Sequence, residues 1–233
     1  MRPIILITSS FLRQRRWFLL AYPFLAFAIA LMLTVPTGVA SNEVFEFYFK
    51  QQSIYAVTVA VLLAAQANYN ERKSRRILGV LSKGIERRDY LAGLLGGVFV
   101  SSGLFLIGVG LGMAWIASKM DLPLHSVLVA MLLMWLACCL SAAITMFLAT
   151  FLHPLLAIAG TSVLIGGGAA AQLKGMQAAT LFPVYELNSS SLQLMEGEKF
   201  HAIMVPVALI EIVVFWLLAG LIFNRRDIAV AIE

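Results

Sequence analysis

Three groups in this chain have the residue types and spacing to do chemistry. The first is ERKSRRILGVLSKGIERRD, residues 71–89, which gathers seven of the seventeen Lys and Arg. So dense a basic patch suits anions, either lipid phosphates or an acidic protein surface. The second is Glu211, the one Asp, Glu, Lys or Arg deep within an apolar run. A charge at that depth costs roughly 2.5–3.5 kcal/mol on insertion scales, so the side chain must face protein or a water-filled cavity. It serves either as a polar group beside a transport pathway or as a structural hydrogen-bonding group, reaching a neighbour such as Thr161 or Ser162. The third is Gly160-Thr161-Ser162-Val163, which has the loose G-x-S-x spacing of a serine nucleophile. Ser162 would need a histidine within hydrogen-bond reach. His125, His153 and His201 all fall at the ends of apolar runs, which argues against it. No His, Cys and carboxylate cluster has metal-ligand spacing. Cys138 and Cys139 are adjacent, point to different helix faces, and read as small core residues.

These groups sit in a chain of 233 residues that is 61% hydrophobic and only 12% charged, with a mean hydropathy of +0.91. That charge content is about half the usual share for a soluble domain. Several apolar runs reach the roughly 20 residues a helix needs to cross a bilayer. The composition therefore predicts an all-α, polytopic membrane protein, a single transmembrane domain over 1–233. Six spans are expected, at about 17–35, 52–70, 91–118, 124–152, 155–172 and 202–223. The first exceeds the usual signal-peptide core and reads as an uncleaved span. Lys119 to Pro123 and His153-Pro154 mark breaks between spans. Residues 173–201 are too polar to span and too apolar for a plain loop.

The basic residues are lopsided. Arg2, Arg13, Arg15, Arg16, the seven in 72–88, Arg225 and Arg226 fall on one side of this topology. Only Lys50, Lys119, Lys174 and Lys199 fall on the other. The positive-inside bias then places both termini and the 71–89 loop in the cytoplasm.

Residues 1–16 read either as an interfacial helix or as a basic start that merely fixes orientation. Arg2, Ser9, Arg13 and Arg16 share one face, and Ile4, Ile7 and Phe11 another. Residues 71–83 also have two helical faces. Ser74, Ile77, Leu78 and Leu81 make an apolar stripe, and Arg72, Arg76 and Lys83 lie opposite. Gly93, Gly97, Ser101, Gly108 and Gly112 line the third span with small residues that let backbones approach, first within the chain and second between copies. Ile165-Gly166-Gly167-Gly168 in the fifth span reads as a hinge or as ordinary close packing.

The whole chain resembles the type-2 ABC exporter permeases. Their first cytoplasmic loop runs approximately Glu-Arg, Gly-Thr, Leu-Leu, Pro-Val-Ser-Arg, then an aromatic or apolar residue and Gly-Lys. Glu71 and Arg72 match the opening, Val80 and Leu81 the Leu-Leu pair, Ile85 and Arg87 the next segment, and Tyr90 and Gly93 its end. Phe223 to Ile228, FNRRDI, is similar to the family's Phe-x-Arg-Arg-Asp ending. Arg75-Arg76 stands where Gly-Thr is usual, Gly84 replaces the Pro, and Leu94 replaces the Lys.

The resemblance implies a permease subunit that forms a substrate pathway and is driven by a separate ATPase, expected in two copies. Its coupling helix would use Glu71, Arg72, Ser74, Ile77, Leu78, Leu81 and Arg87. No G-x-x-x-x-G-K-S/T phosphate loop occurs, so ATP and Mg are expected in the partner and no cofactor in this chain. A second permease subunit, the same or homologous, and membrane lipids are the other expected partners, with no nucleic acid. Residues 173–201 would hold short external or re-entrant helices. The membrane would be the bacterial or archaeal plasma membrane. The alternatives are a rhomboid-like intramembrane protease built on Ser162, or a channel or scaffold that transports nothing actively.

Overall fold

The computed structural model describes residues 2–34, 42–73, 85–120, 123–173, 183–195 and 202–225. These form eight helices, with no strand among the described residues: α1 (Arg2–Gln14), α2 (Arg16–Thr34), α3 (Asn42–Lys73), α4 (Arg87–Ser118), α5 (Leu124–Ala149), α6 (Pro154–Leu173), α7 (Val184–Met195) and α8 (Met204–Arg225). Five of them, α2, α4, α5, α6 and α8, are long and apolar enough to cross a membrane. The chain is thus all-helical with membrane character.

The stretch 52–70 is the exception among the expected spans. It lies within α3, which starts well before it and runs for 32 residues. Gln51, Gln52, Gln66, Asn68 and Asn70 keep α3 out of the apolar five. Yet α3 is central to the bundle. Tyr48, Gln52, Ala56, Ala60, Ala64 and Asn68 recur every fourth residue, and all are buried. The three alanines of that i±4 ridge let α4 and α5 pack closely on either side.

The small residues of α4 do their packing inside the chain. A Cβ added at Gly93 would strike Ile7, and one at Gly97 would strike Phe11. The apolar face expected of residues 1–16 is therefore seated on α4, and Phe11 is buried there. Thr8 Oγ1 donates to the Gly93 carbonyl at 2.9 Å and fixes the register. Ser9, Arg13 and Arg16 face outward as the two-faced pattern requires.

Further along α4, Gly108 lies against the backbone of Pro23 in α2, and Gly112 against Ala30 and Tyr48. The Tyr48 hydroxyl donates to the Ala26 carbonyl at 3.0 Å and lies 3.5 Å from the Val109 carbonyl, tying α3 to α2 and α4. Cys138 and Cys139 are free and buried in α5.

On the other side of the bundle, Leu133, Leu136, Ala137, Leu140 and Ile144 of α5 share a core with Val184 and Leu187 of α7 and with Met204 and Ala208 of α8. The short helix α7 thus lies along the middle of α5 rather than beyond its end. The glycines of α6 differ from those of α4. The helix runs unbroken through 165–168, so they make no break there. Among the described residues nothing lies within 4 Å of a Cβ added at Gly166 or Gly167, whereas one at Gly160 would meet Leu148.

Candidate functional site

Among the described residues, a groove of about 530 Å³ lies between α3, α6 and α7. That is within the range of small-molecule sites. Its walls are apolar, with Ile54, Val57, Val61 and Leu62 from α3 and Ile158 and Ile165 from α6. Polar groups punctuate them: Lys50, Ser53, Thr58, Ser162, Asn188 and Ser189. Ser and Thr here largely satisfy their own helices. Ser53 donates to the Lys50 carbonyl at 2.9 Å, Thr58 to Ile54 at 2.7 Å, and Ser189 to Glu186 at 3.1 Å. Such back-bonding hides the hydroxyl proton and leaves oxygen lone pairs for a ligand. Lys50 is paired with Glu46 one helical turn away. Asn188 Oδ1 is buried with no hydrogen-bond partner among the described residues. The groove is therefore an apolar trough with neutral polar points and one compensated cation at its rim, a surface for amphipathic rather than ionic molecules.

Ser162 lies in this groove, but none of the residues lining it is a histidine. His153 starts α6 two turns away, with its ring against Tyr69 at 5.8 Å. His125 lies beside Ser126, 3.5 Å from its hydroxyl. Neither is placed to activate Ser162, and His201 is outside the described residues. No group of three or more His, Cys, Asp or Glu among the described residues could hold a metal.

Among the described residues no hydrogen bond joins Glu211 to Thr161 or Ser162, the neighbours named for its structural role. Thr161 Oγ1 is engaged elsewhere, donating to Ala157 at 2.9 Å and lying 3.0 Å from Thr145 Oγ1. Ser162 faces the groove. Glu211 is half-buried in α8, and its Oε2 has no partner among the described residues.

The basic segment divides. Ser74, Ile77, Leu78 and Leu81 lie outside the described residues. Glu71 and Arg72 belong to the last turn of α3. Arg87 has a definite role at the first residue of α4. Its Nη1 donates to the carbonyls of Phe223 at 2.9 Å and Asn224 at 3.2 Å, and its guanidinium lies 5.9 Å from the Phe223 ring centre. Carbonyls in the last turn of a helix lack intrahelical donors and carry its negative dipole end, so a cation there is stabilising. Beside it the Arg88 side chain lies against Gly220. Arg87 thus braces the entry of α4 to the exit of α8. The resemblance marked Arg87 as a coupling residue, but gave no hint of this partner. A basic residue at the start of one helix and FNR at the end of another were the only signals available.

One element joins the two regions. α3 contributes the groove residues from Phe49 to Leu62 and continues unbroken to Lys73, where the basic segment begins. At 1.5 Å per residue, Ser53 and Lys73 are about 30 Å apart along the axis. No protein-family model matches the chain, and no curated protein or solved structure gives a significant match to it.

Proposed function

We propose that this chain is the membrane-spanning permease subunit of an ATP-binding cassette exporter, worked by a separate ATPase that grips the 71–89 loop. The observation that carries this reading is the continuity of α3. One helix forms a groove wall and, about 30 Å away, leads directly into the basic segment. A load on that segment is delivered to the groove through a rigid rod. Arg87 extends the same load to α8, because the residue that begins α4 is tied to the carbonyls that end α8.

In this reading α3 is the sixth span. Of its polar residues, Gln52, Ser53 and Asn68 are covered by protein, which is where a bilayer tolerates them, while Gln66 and Asn70 lie exposed toward its basic end. Both termini and the loop are cytoplasmic, α1 lies at the inner interface, and α7 is the re-entrant helix before the last span. Exposed Ile5, Leu6 and Trp17 with Arg13 and Arg16 suit the boundary between acyl chains and headgroups. The groove takes an amphipathic cargo. A second subunit completes the pathway, and ATP and Mg bind only the partner.

The test is assembly and turnover. The chain is purified with its ATP-hydrolysing subunit, and Leu78→Asp and Leu81→Asp are compared with wild type. Each should abolish co-purification, since an unpaired charge in a docked apolar stripe costs about 3–5 kcal/mol. If correctly inserted variants retain both the ATPase and transport, the segment is only a charged tether and the permease reading fails.

A further inference from the structure

A second pocket, about 220 Å³, lies on the opposite side of α3, where it meets α2 and α4. It is lined by Tyr22, Leu25, Ala26 and Ile29 of α2, Gln52 and Tyr55 of α3, and Phe105 of α4. Leu25 and Tyr55 are exposed, so the pocket opens sideways, toward the surface that the apolar helices present to lipid. Inside it three aromatic rings meet one amide. Tyr22 and Phe105 have ring centres 4.8 Å apart and are tilted against each other. Gln52 is 1% exposed, and its Nε2 has no hydrogen-bond partner among the described residues.

A buried primary amide without a partner is costly, because its lost hydration is not replaced. Gln52 sits on the interior ridge of α3, one turn from Tyr48, whose hydroxyl is satisfied by a carbonyl of α2. No comparable partner is offered to the Gln52 Nε2 among the described residues. From these features we infer that the pocket binds a flat, membrane-dissolved ring bearing a carbonyl acceptor, the chemistry of a quinone headgroup. A cavity of about 150 Å³ accommodates benzene, so this one holds a substituted six-membered ring. Aromatic walls favour a flat ring in stacked or edge-on contact over a flexible acyl chain. The ring carbonyl accepts from the Gln52 amide, whose terminal torsion is soft enough to turn toward it. Only binding is inferred, with no electron transfer. The inference uses the helix packing alone and does not depend on the permease reading.

The probes are duroquinone and durene, which share a ring and four methyl groups and differ in the two carbonyls. Each is titrated against the purified full chain in detergent, and apparent affinities are taken from the ligand dependence of the unfolding midpoint. Wild type should prefer duroquinone by about tenfold more than Gln52→Leu does, the worth of one hydrogen bond. Comparing the two ratios cancels the different partitioning of the probes into detergent. Gln52→Met, closer in shape, should lose the preference as well and guards against a misfolded leucine variant. The inference is overturned if neither probe raises the wild-type midpoint, or if the preference survives in both variants. The same holds if wild type shows no preference beyond that of the variants. None of these results would bear on ATPase coupling.

Discussion

Gly108→Ala adds one methyl group where α4 crosses directly against the backbone of α2. The new carbon would lie 2.6 Å from both the Cα and the carbonyl carbon of Pro23, and closer still to its oxygen. Carbon atoms prefer about 3.5–4.0 Å, so α2 and α4 must part by roughly 1 Å. The obstruction is backbone, so no rotamer change relieves it. Overpacking of this kind costs about 1–3 kcal/mol. Alanine returns about 1 kcal/mol through its better helix propensity. The net expectation is a loss of up to about 2 kcal/mol, a factor of up to roughly 30 in the folded-to-unfolded ratio.

Gly166→Ala supplies the control. It is the same substitution in a helix where no described residue lies within 4 Å of the new carbon, so the propensity gain is what is expected. The two variants should move in opposite directions by about 2 kcal/mol in total. Reversible unfolding in mixed detergent micelles, followed by far-ultraviolet circular dichroism, measures both. Should Gly108→Ala match Gly166→Ala in sign, α2 does not press on α4 at Pro23, and the packing of the small-residue track is wrong. Should its cost depend on the protein-to-detergent ratio, the track packs between copies and not within the chain.

Arg87→Ala should destabilise the chain by about 1–2 kcal/mol through loss of the charged donor at the end of α8. Arg87→Lys should recover part of this, keeping the charge but losing the planar fork, and equal stability of all three would show that the brace carries no load. Glu211→Leu should leave stability unchanged or raise it by about 1 kcal/mol, because it removes a buried oxygen without a partner. A clear loss in the unfolding measurement would mean that Glu211 holds a structural hydrogen bond, and unimpaired transport in Glu211→Gln would remove it from the mechanism.

Some of this was legible in the sequence because it is local. The faces of α1 follow from residues three and four apart. The spacing of Gly93, Gly97, Gly108 and Gly112 announced a surface for close approach, and the structure supplies Ile7, Phe11, Pro23 and Tyr48 as what approaches. The Arg87 brace was not legible, since its acceptors are backbone carbonyls 136 and 137 residues away. A carbonyl carries no sequence signature. The groove was equally silent. Its polar points are ordinary Ser, Thr and Asn on three separate helices, and only their convergence makes a site.

The expected sixth span shows where hydropathy and burial part company. A hydropathy window treats every polar residue as exposed to lipid. In α3 the buried ridge runs Tyr48, Gln52, Ala56, Ala60, Ala64 and Asn68, so half of its members are polar and half are the smallest apolar residue. Both choices lower the apolar score, and both follow from being in the middle of a bundle. Alanine gives close approach where α4 and α5 crowd the helix, at the cost of apolar side-chain surface. Tyr48 and Asn68 reach carbonyls of neighbouring helices, Ala26 and Ala149, which a leucine could not do. α3 therefore falls outside the apolar five in part because its ridge is interior, and in part because Gln66 and Asn70 are exposed polar residues toward its end. The opposite extreme is α2, whose apolar window is only 11% buried. Within this ridge Asn68 at least donates to a carbonyl, although its Oδ1 is unpartnered, whereas the buried Gln52 Nε2 departs from that logic and meets no acceptor among the described residues. That departure is why the pocket beside it, rather than the larger groove, calls for a ligand with an acceptor of its own.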